Sequence, residues 1–427
     1  MNDGSRNAHV SEAEILCDLL VVGAGPAGLA AAWRASNAGL NVVVVDDNPT
    51  AGGQIWRGEQ QKPASREAQV WFERMASARI HWISGTRIFQ QTEPGRLTAE
   101  TTAGMIELRY NNLVLATGAR ECFLPFPGWT LPNVMGAGGL QALVKTGLSI
   151  REKRVVVAGS GPLLLAVAAY LRVRGAKLLL IAEQASTLRL ARFGASLIAS
   201  GKLMQARELK RRLKRVKYLH GCWPIAAHGD EKLTNVTLQR GRKRWRVECD
   251  YLACGFHLVP NLELAELLGC KIGNGAVSVD EFQQTSVPHV YAAGETTGIG
   301  GLELSLVEGE IAGLAAAGSR DEAQKLFPAR TKLRRFARIL NETFALRDEL
   351  RDLVTRETIV CRCEDVSFGR LKVHDSWREA KLQTRCGMGP CQGRVCGPAV
   401  EFLFRWKAES VRPPVFPVRI ESMLGHR

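Results

Sequence analysis

The segment 17–31, CDLLVVGAGPAGLAA, joins an apolar strand to a glycine-rich turn and an alanine-rich helix start. A second strand-like run, 41–47, follows and ends in two carboxylates. In a β-α-β nucleotide fold the first glycine permits the tight turn, the second lets the backbone approach a pyrophosphate, and the third lets the helix pack on the strand. Strand, turn, helix and acid stand here in the required order, so the sequence predicts a dinucleotide site. Its turn residues are Gly23, Gly25, Pro26, Ala27 and Gly28.

The acid at the end of the second strand is expected to hold a ribose hydroxyl of the dinucleotide. Asp46 is the first carboxylate at that point, and we predict that it is the ribose ligand. Asp47 follows directly and is the alternative, because element ends predicted from sequence shift by a few residues.

A second unit of the same kind begins at residue 154, with an apolar strand, a GSGP turn and a helix, and continues into the strand 177–183. Leu164 occupies the position of the third glycine. A bulky residue there pushes the helix away from the strand or forces a rearranged turn, so the first interpretation is a retained fold with altered or lost NAD binding. The second is a working site formed by Gly159, Gly161 and Glu183. Because Glu183 disfavours a 2′-phosphate, its ligand would be NAD or an adenine nucleotide such as ATP.

Five of the eleven cysteines lie in the C-terminal region, at Cys361, Cys363, Cys386, Cys391 and Cys396. Thiolates favour soft metals, so this group predicts a metal centre, either zinc or an iron–sulfur cluster. The other six cysteines are scattered among apolar residues and are expected to be buried. The chain contains no CxxC pair, which argues against a disulfide reductase.

The bulk properties describe a globular chain of two or three domains, with 427 residues and 46% hydrophobic content. No apolar run is long enough for a spanning helix and no cleavable signal fits before the first strand, so a cytoplasmic location is expected. The net charge of +15 includes a basic run from Arg207 to Lys217, in which Leu209, Leu213 and Val216 recur at helical spacing. This run is predicted to be a solvated helix face, with an acidic protein partner or peripheral contact with an anionic membrane as alternatives. No nucleic-acid module accompanies it, and nucleic acid is not expected as a partner.

Two later segments have the pattern of an apolar strand followed by a small-residue turn: 113–121, LVLATGARE, and 287–295, VPHVYAAGE. Together with the N-terminal unit they resemble the three FAD-contacting segments of flavoproteins with two dinucleotide-binding domains, the group that contains thioredoxin reductase. The resemblance implies FAD as the cofactor. Gly294 and Glu295 would lie near its ribityl chain and pyrophosphate, where the group usually carries aspartate. The implied contacts from these segments are Ala116, Thr117, Gly118, Gly294 and Glu295.

Several motifs together are more specific than any glycine turn: 46–57, DDNPTAGGQIWR; 116–121, ATGARE; 158–165, AGSGPLLL; 298–303, GIGGLE; and the terminal cysteines. In this order they resemble the alpha subunits of heteromeric amino-acid and opine dehydrogenases. That family includes one subunit of opine oxidase, the alpha subunits of hydroxyproline and proline dehydrogenases, and one subunit of hydrogen cyanide synthase. The likeness covers nearly the whole chain and adds Gly53 and Gln54 to the expected cofactor-binding residues.

In that family the C-terminal segment resembles the [2Fe–2S] domain of bacterioferritin-associated ferredoxin, in which a CxC loop is followed by two cysteines at a helix start. Residues 392–394 make a turn and Gly397-Pro398 reads as a helix beginning, so Cys391 and Cys396 fit the second pair. Cys386 is left as a neighbour or alternate ligand, and zinc remains the alternative metal. The implied ligands are Cys361, Cys363, Cys391 and Cys396.

The same resemblance implies that substrate oxidation belongs to a beta subunit similar to D-amino-acid oxidase, while this chain relays electrons to an external acceptor. It further implies FMN at a subunit interface and a small ferredoxin-like gamma subunit. No catalytic residue is predicted in this chain. Two other classes stay open: a stand-alone NAD(P)H-dependent flavin and iron–sulfur oxidoreductase, and a non-enzymatic scaffold or redox sensor.

The expected fold class is α/β, a flavoprotein with two dinucleotide-binding domains and a small α-helical [2Fe–2S] domain. Residues 1–14 are predicted to be a tail, 15–127 and 272–320 the FAD-binding domain, and 128–271 the inserted NAD-like domain. Residues 321–356 are predicted to be a helical linker, 357–405 the [2Fe–2S] domain and 406–427 a C-terminal tail.

Overall fold

The computed structural model describes residues 13–60, 65–200, 203–407 and 410–424. The predicted N-terminal tail lies almost wholly outside the described residues, as does part of the C-terminal tail. The predicted α/β class with two nucleotide-binding units is confirmed. Within the described ranges no helix is both long and apolar enough to cross a membrane.

The first unit is a mixed sheet with the strand order β3-β2-β1-β6-β5-β4, in which β1 pairs in parallel with β2 and β6. Residues 42–45, four consecutive valines, are all buried, as expected for a parallel strand covered on both faces. Its elements are β1 (Ala13–Val22), α1 (Pro26–Asn37), β2 (Val42–Asp46), α2 (Arg66–Ser77), β3 (Ile80–Ser84), β4 (Arg87–Glu93), β5 (Arg96–Glu100) and β6 (Met105–Leu115).

The second unit is a five-stranded sheet with the order β11-β10-β9-β15-β8, flanked by a three-stranded antiparallel sheet β12-β13-β14. Strand β7 lies before this unit in the chain and pairs with β16 after it. The elements are β7 (Ala119–Glu121), β8 (Val134–Gly136), α3 (Ala137–Lys145), β9 (Arg154–Ser160), α4 (Leu163–Val173), β10 (Lys177–Glu183), α5 (Thr187–Ser200), α6 (Leu203–Arg212), β11 (Lys217–His220), β12 (Cys222–His228), β13 (Asn235–Arg240), β14 (Lys243–Glu248), β15 (Tyr251–Phe256) and β16 (Leu258–Pro260).

The chain then returns to the first unit, where β19 pairs in parallel with β6. Helix α8 packs directly on α1, with Gly309 and Gly313 at the contact. A Cβ at Gly309 would lie 2.1 Å from the Ala27 carbonyl oxygen, and a Cβ at Gly313 would lie 2.2 Å from the Ala31 carbonyl oxygen. Only glycine permits this close helix contact, which fixes α1 against the returning segment. The elements are α7 (Glu263–Leu267), β17 (Ile272–Gly273), β18 (Ala276–Val277), β19 (Val290–Ala292) and α8 (Leu302–Ala316).

The predicted linker is built from α9 (Arg320–Gln324), α10 (Phe327–Thr343) and a 3₁₀ helix at Asp348–Leu353. It is packed rather than extended: Phe193 of α5 contacts Phe336 and Phe344, with ring centroids 5.8 and 5.2 Å apart. The linker therefore forms part of the surface of the second unit.

The C-terminal region begins with a β-hairpin and continues as short helices: β20 (Ile359–Cys361), β21 (Val366–Ser367), α11 (Phe368–Leu371), α12 (Trp377–Thr384), α13 (Cys396–Phe404) and α14 (Ile420–Leu424). Its last part runs back along the first unit. The Val415 N–H donates to the Phe89 carbonyl oxygen at 2.9 Å, and the Arg419 Nε donates to Glu100 at 3.0 Å.

The basic run covers the end of α6, the turn after it and Lys217 at the start of β11, so the predicted helix ends at Arg212. Arg211 and Arg212 both pair with Glu208, at 2.8 and 2.9 Å, while Leu213 is buried. The six cysteines predicted to be buried are so: Cys17, Cys122, Cys222, Cys249, Cys254 and Cys270.

Candidate functional site

The first glycine turn leaves no room for a side chain at Gly23 or Gly28. Gly23 has a φ of +105°, and a Cβ there would lie 2.2 Å from the Ala116 carbonyl oxygen. A Cβ at Gly28 would lie 1.8 Å from the Gly23 carbonyl oxygen. Gly25 is the N-cap of α1 and no side chain caps that end, so the first N–H groups of the helix point toward the turn. Such an uncapped N-terminus suits a phosphate group.

The two candidate ribose ligands occupy different environments. Asp46 accepts hydrogen bonds from the N–H groups of Ala24 at 2.5 Å and Asn48 at 2.7 Å, so its carboxylate lies at the glycine turn. Asp47 is half exposed and pairs with Arg87 at 3.5 Å. Of the two acids, Asp46 is the one next to the turn.

The loop with the GGQ motif lies over the same turn. The Gly52 N–H donates to the Ala24 carbonyl oxygen at 2.8 Å, and a Cβ at Gly53 would lie 2.9 Å from the Gly25 Cα. Gln54 is exposed beside it. The loop therefore closes one side of the space in front of α1.

The two later strand ends complete this cradle. The Ala116 N–H donates to the Val22 carbonyl oxygen at 2.8 Å, next to Gly23. Gly294 has a φ of +77°, and a Cβ there would lie 2.7 Å from that of Ala27. The structure thus brings the ends of segments 113–121 and 287–295 to the glycine turn, so that all three segments meet at the N-terminus of α1.

Asn261 joins two of these segments and was missed by sequence reasoning. Its side-chain amide donates to the Thr117 carbonyl oxygen at 2.8 Å. Its backbone carbonyl oxygen accepts from the hydroxyls of Thr117 and Thr296, at 2.9 and 3.1 Å. Its N–H also donates to the Gly118 carbonyl oxygen at 2.9 Å. The only sequence signal was an asparagine following a proline at a strand end.

The acid that contacts the Gly294 turn is Glu308, which was also missed. It is buried and accepts from the Gly294 N–H at 3.2 Å, the Thr297 hydroxyl at 2.7 Å and Arg334 at 2.8 Å. For the predicted Glu295, burial raises the pKa, opposed by a hydrogen bond from the Gly301 N–H. Helix α8 carries three glutamates, Glu303, Glu308 and Glu310, so no signal in the sequence singled out Glu308.

The second glycine turn keeps the fold despite Leu164. Gly159 has a φ of +135°, and a Cβ there would lie 1.9 Å from the Gly255 carbonyl oxygen. Leu164 is buried, and its Cδ2 packs beside Gly255 on β15, where a Cβ would lie 3.6 Å from it, an ordinary contact distance. Gly161, at φ +105°, has open space beside it. The bulky residue is therefore packed in the core of the second unit, and the glycine turn before it is retained.

Glu183, the candidate ribose ligand of this second turn, is closed off from solvent. It has 0% exposure, and its two oxygens accept from the N–H groups of Gly161 and Ala185, both at 2.8 Å. Burial raises the pKa of Glu183 to about 7. A ribose hydroxyl has no access to this carboxylate in the described conformation.

The end of helix α10 covers the second turn. Ser160, between the two glycines, donates its hydroxyl to the Phe344 carbonyl oxygen at 2.8 Å. The Gln184 side-chain amide donates to Ser160 at 2.8 Å and to the Ala345 carbonyl oxygen at 3.2 Å. The chain's own residues 344–345 therefore satisfy polar groups that a bound nucleotide would contact.

The five C-terminal cysteines lie together in two groups. The sulfurs of Cys361, Cys386 and Cys396 lie within 4.8 Å of one another and all three residues are buried. The sulfurs of Cys363 and Cys391 are 3.6 Å apart, with Cys363 exposed. Hydrogen bonds from the Cys386 and Cys396 thiols hold the pKa of Cys361 down to about 2.

This division bears on the kind of metal centre. A tetrahedral metal with bonds of about 2.3 Å holds its sulfur ligands about 3.8 Å apart. The pair at 3.6 Å fits two ligands of one metal, and the group of three contains two more. The donor set thus suits two neighbouring iron atoms at least as well as one zinc ion. The structure also brings Cys386 into the buried group, whereas the family resemblance made it an alternate ligand.

Three comparisons bear on this arrangement. The model of the pyridine nucleotide-disulphide oxidoreductase family matches residues 17–318. The chain is 30% identical to hydrogen cyanide synthase subunit HcnB of Pseudomonas aeruginosa, over 88% of this chain and 90% of that protein. It is 30% identical to one of the subunits of opine oxidase from Rhizobium meliloti strain 1021, over 95% of this chain and 98% of that protein.

Among solved structures, the fold is similar to L-proline dehydrogenase from P. horikoshii, with a TM-score of 0.66 and 19% identity over 96% of this chain and 80% of that one. It is also similar to thioredoxin reductase from T. acidophilum, with a TM-score of 0.54 and 20% identity over 71% of this chain and 98% of that one. These structures establish the fold of the two nucleotide-binding units.

Proposed function

This chain belongs to the pyridine nucleotide-disulphide oxidoreductase family, and from that premise we propose that it is the FAD- and [2Fe–2S]-containing electron-transfer subunit of a heteromeric amino-acid or opine dehydrogenase. Its relatives at 30% identity are named as subunits of hydrogen cyanide synthase and opine oxidase. One observation carries the proposal: five thiols lie in two adjacent groups, in a chain that has the family fold but no CxxC pair. Electrons that arrive at the flavin need an outlet other than a disulfide, and thiolate-held iron supplies one.

The first glycine turn fits FAD. The close contacts at Gly23, Gly28 and Gly53 leave a cradle lined by backbone at the uncapped start of α1, where a pyrophosphate binds. Asp46 stands where a ribose hydroxyl would bind, and Gly294 closes the far side. When bound, FAD accepts two electrons and releases them singly, which is the chemistry that a one-electron cluster requires.

The thiols fit a [2Fe–2S] cluster through the pair Cys363 and Cys391 and through Cys361 and Cys396 of the buried group. Helix α13 begins at Cys396, so its first N–H groups favour the negative charge of a thiolate-rich centre. Cys363 is exposed, so this corner of the group faces a docking acceptor. No residue of the chain is assigned a proton-transfer step.

Substrate oxidation belongs, in this proposal, to a partner flavoprotein similar to D-amino-acid oxidase. FMN at a subunit interface and a small ferredoxin-like subunit complete the assembly. The basic helix α6 is available for an acidic partner or an anionic membrane surface, because much of its charge is solvated. The assembly is expected in the cytoplasm.

In the complex with its partner flavoprotein, addition of the amine substrate is expected to bleach the visible absorption of both the FAD and the cluster of this chain. The physical reason is that both groups receive electrons released at the partner. The measurement is anaerobic difference spectroscopy on co-purified subunits, with iron, acid-labile sulfide and flavin counted per chain. Iron-free protein that contains zinc, or a reduced partner beside an unbleached chain, contradicts the proposal.

The alternative function, a stand-alone NAD(P)H-dependent oxidoreductase, requires a working second nucleotide site. Glu183 is inaccessible and residues 344–345 cover the turn, which speaks against it. We expect that NADH in excess leaves the flavin absorption of the isolated chain unchanged, while dithionite bleaches it fully. Rapid anaerobic mixing measures this, and fast bleaching by NADH would make the alternative the better function.

A further inference from the structure

The C-terminal region touches the nucleotide-binding units at several points. The Trp129 indole N–H donates to the Ile359 carbonyl oxygen at 2.6 Å, and the Arg351 Nε donates to that of Phe402 at 2.9 Å. A third contact differs from these, because it is made inside the cysteine loop. There the Arg120 Nε donates to the carbonyl oxygen of Arg394, between Cys391 and Cys396, at 3.1 Å.

Glu263 holds both arginines of this contact. Its Oε1 lies 2.8 Å from Arg120 Nη1 and 3.6 Å from Arg394 Nε. The side chains of the three residues are only 18–25% exposed, so solvent screens their attraction weakly. We call Arg120, Glu263 and Arg394 the charged bridge.

One end of the charged bridge reaches the candidate flavin segments. Arg120 Nη1 donates to the Asn261 side-chain oxygen at 2.8 Å. Asn261 in turn donates to the Thr117 carbonyl oxygen and accepts from the Thr296 hydroxyl. Arg120 itself belongs to the segment 113–121, and Asn261 links it to Thr296, directly after the segment 287–295.

The other end is anchored in the cysteine loop. The Arg394 N–H donates to the Cys391 carbonyl oxygen at 3.0 Å. The Arg394 guanidinium donates to the Val415 carbonyl oxygen at 2.5 Å and lies 4.1 Å from the centre of the Phe416 ring. Burial lowers the pKa of Arg394. An arginine so enclosed has one orientation available.

A partly buried charge network adds little net stability, because desolvation of its ions offsets their attraction, yet it favours one geometry over others. Electron transfer depends on a fixed separation between donor and acceptor. On the premise that the proposed function holds, we propose that Arg120, Glu263 and Arg394 are positioning residues. They fix the cysteine loop against the flavin-binding segments and so set the rate at which electrons pass from FAD to the cluster.

The test compares Glu263→Gln with Glu208→Gln in the full chain carrying FAD and cluster. Glu208 is a matched control, since it also pairs with two arginines, Arg211 and Arg212, but on the exposed helix α6. After photoreduction of the flavin, the rate of cluster reduction is followed by its absorption. We expect Glu263→Gln to slow it about tenfold, less than the roughly hundredfold loss that a 1 Å misplacement can cause in a chemical step, and Glu208→Gln to leave it unchanged.

The midpoint potentials separate positioning from electrostatics. Removing the Glu263 charge makes both the cluster and the flavin easier to reduce, so a purely electrostatic effect changes the rate only through the difference between their two potentials. The midpoint potentials of both groups, measured by redox titration, give the size of that effect. A Glu263→Gln protein that transfers electrons at the wild-type rate or faster, with both groups bound, overturns the inference.

Two further measurements distinguish a failure of this inference from a failure of the proposed function. If Glu263→Gln does not bind either group, hydrogen exchange of residues 389–397 in metal-free protein decides: faster exchange than in Glu208→Gln supports the charged bridge, and equal exchange overturns it. Arg120→Lys keeps the charge but loses the fork to Asn261 and Arg394, and is expected to slow transfer as well. Wild-type protein without a cluster, or without flavin-to-cluster transfer, instead contradicts the proposed function.

Discussion

Gly23→Ala is expected to yield protein with almost no bound FAD. The new Cβ would lie 2.2 Å from the Ala116 carbonyl oxygen, so the end of β6 must move away from the turn. The backbone at φ +105° adds strain for any residue with a Cβ. Together these effects lower the free energy of unfolding by about 2–5 kcal/mol. The flavin-to-protein ratio from the absorption spectrum and the thermal unfolding midpoint measure the two losses.

Gly39→Ala is the matched control for this prediction. Gly39 ends the turn after α1 with a φ of +91°, close to that of Gly23, but a Cβ there meets no atom within 4 Å. It therefore carries the backbone strain without the contact, at a cost of about 1–2 kcal/mol, and should retain its FAD. Equal flavin loss in both variants would mean that strain, and not the closed cradle, governs binding.

Sequence reasoning predicted the parts of the fold that depend on local pattern. The run of four valines at 42–45 is typical of a buried parallel strand, and a Cβ at Gly23 or Gly28 would meet a backbone oxygen, so the first nucleotide unit could be predicted from the residues alone. The second unit was readable as well, with Leu164 as the bulky residue at its third glycine position. The contact between Leu164 and Gly255 could not be predicted, because the two positions meet only through the fold.

The remaining features depend on contacts between distant segments. Asn261 and Glu308 lie at the cradle through hydrogen bonds that no spacing reveals. The sequence predicted residues 321–356 only as a helical linker between domains. In the structure Phe344 packs on α5, and this contact brings the end of α10 onto the second glycine turn. A charged helical pattern indicates a solvated face, but it does not indicate what the buried face covers.

Cys391→Ser is expected to abolish the visible absorption of the cluster and its iron content. Cys391 lies in the group of two, with Cys363 at 3.6 Å, so its loss leaves one metal position with a single thiolate. Cys386→Ser is expected to retain the cluster, because the group of three holds one thiol more than a pair of ligands requires. The measurement is iron per chain together with the electron paramagnetic resonance spectrum of the reduced protein.

The two variants control for each other, since both replace a thiol by a hydroxyl in the same loop. Cys386 is fully buried, so its serine loses about 1–3 kcal/mol of stability if the hydroxyl finds no partner. When both proteins are metal-free, Cys386→Ser should therefore unfold at a lower temperature than Cys391→Ser, although as purified it keeps more iron. Stability and iron content then change in opposite order, which general unfolding cannot produce. The reverse order would assign a ligand role to Cys386 and leave the exposed pair outside the cluster.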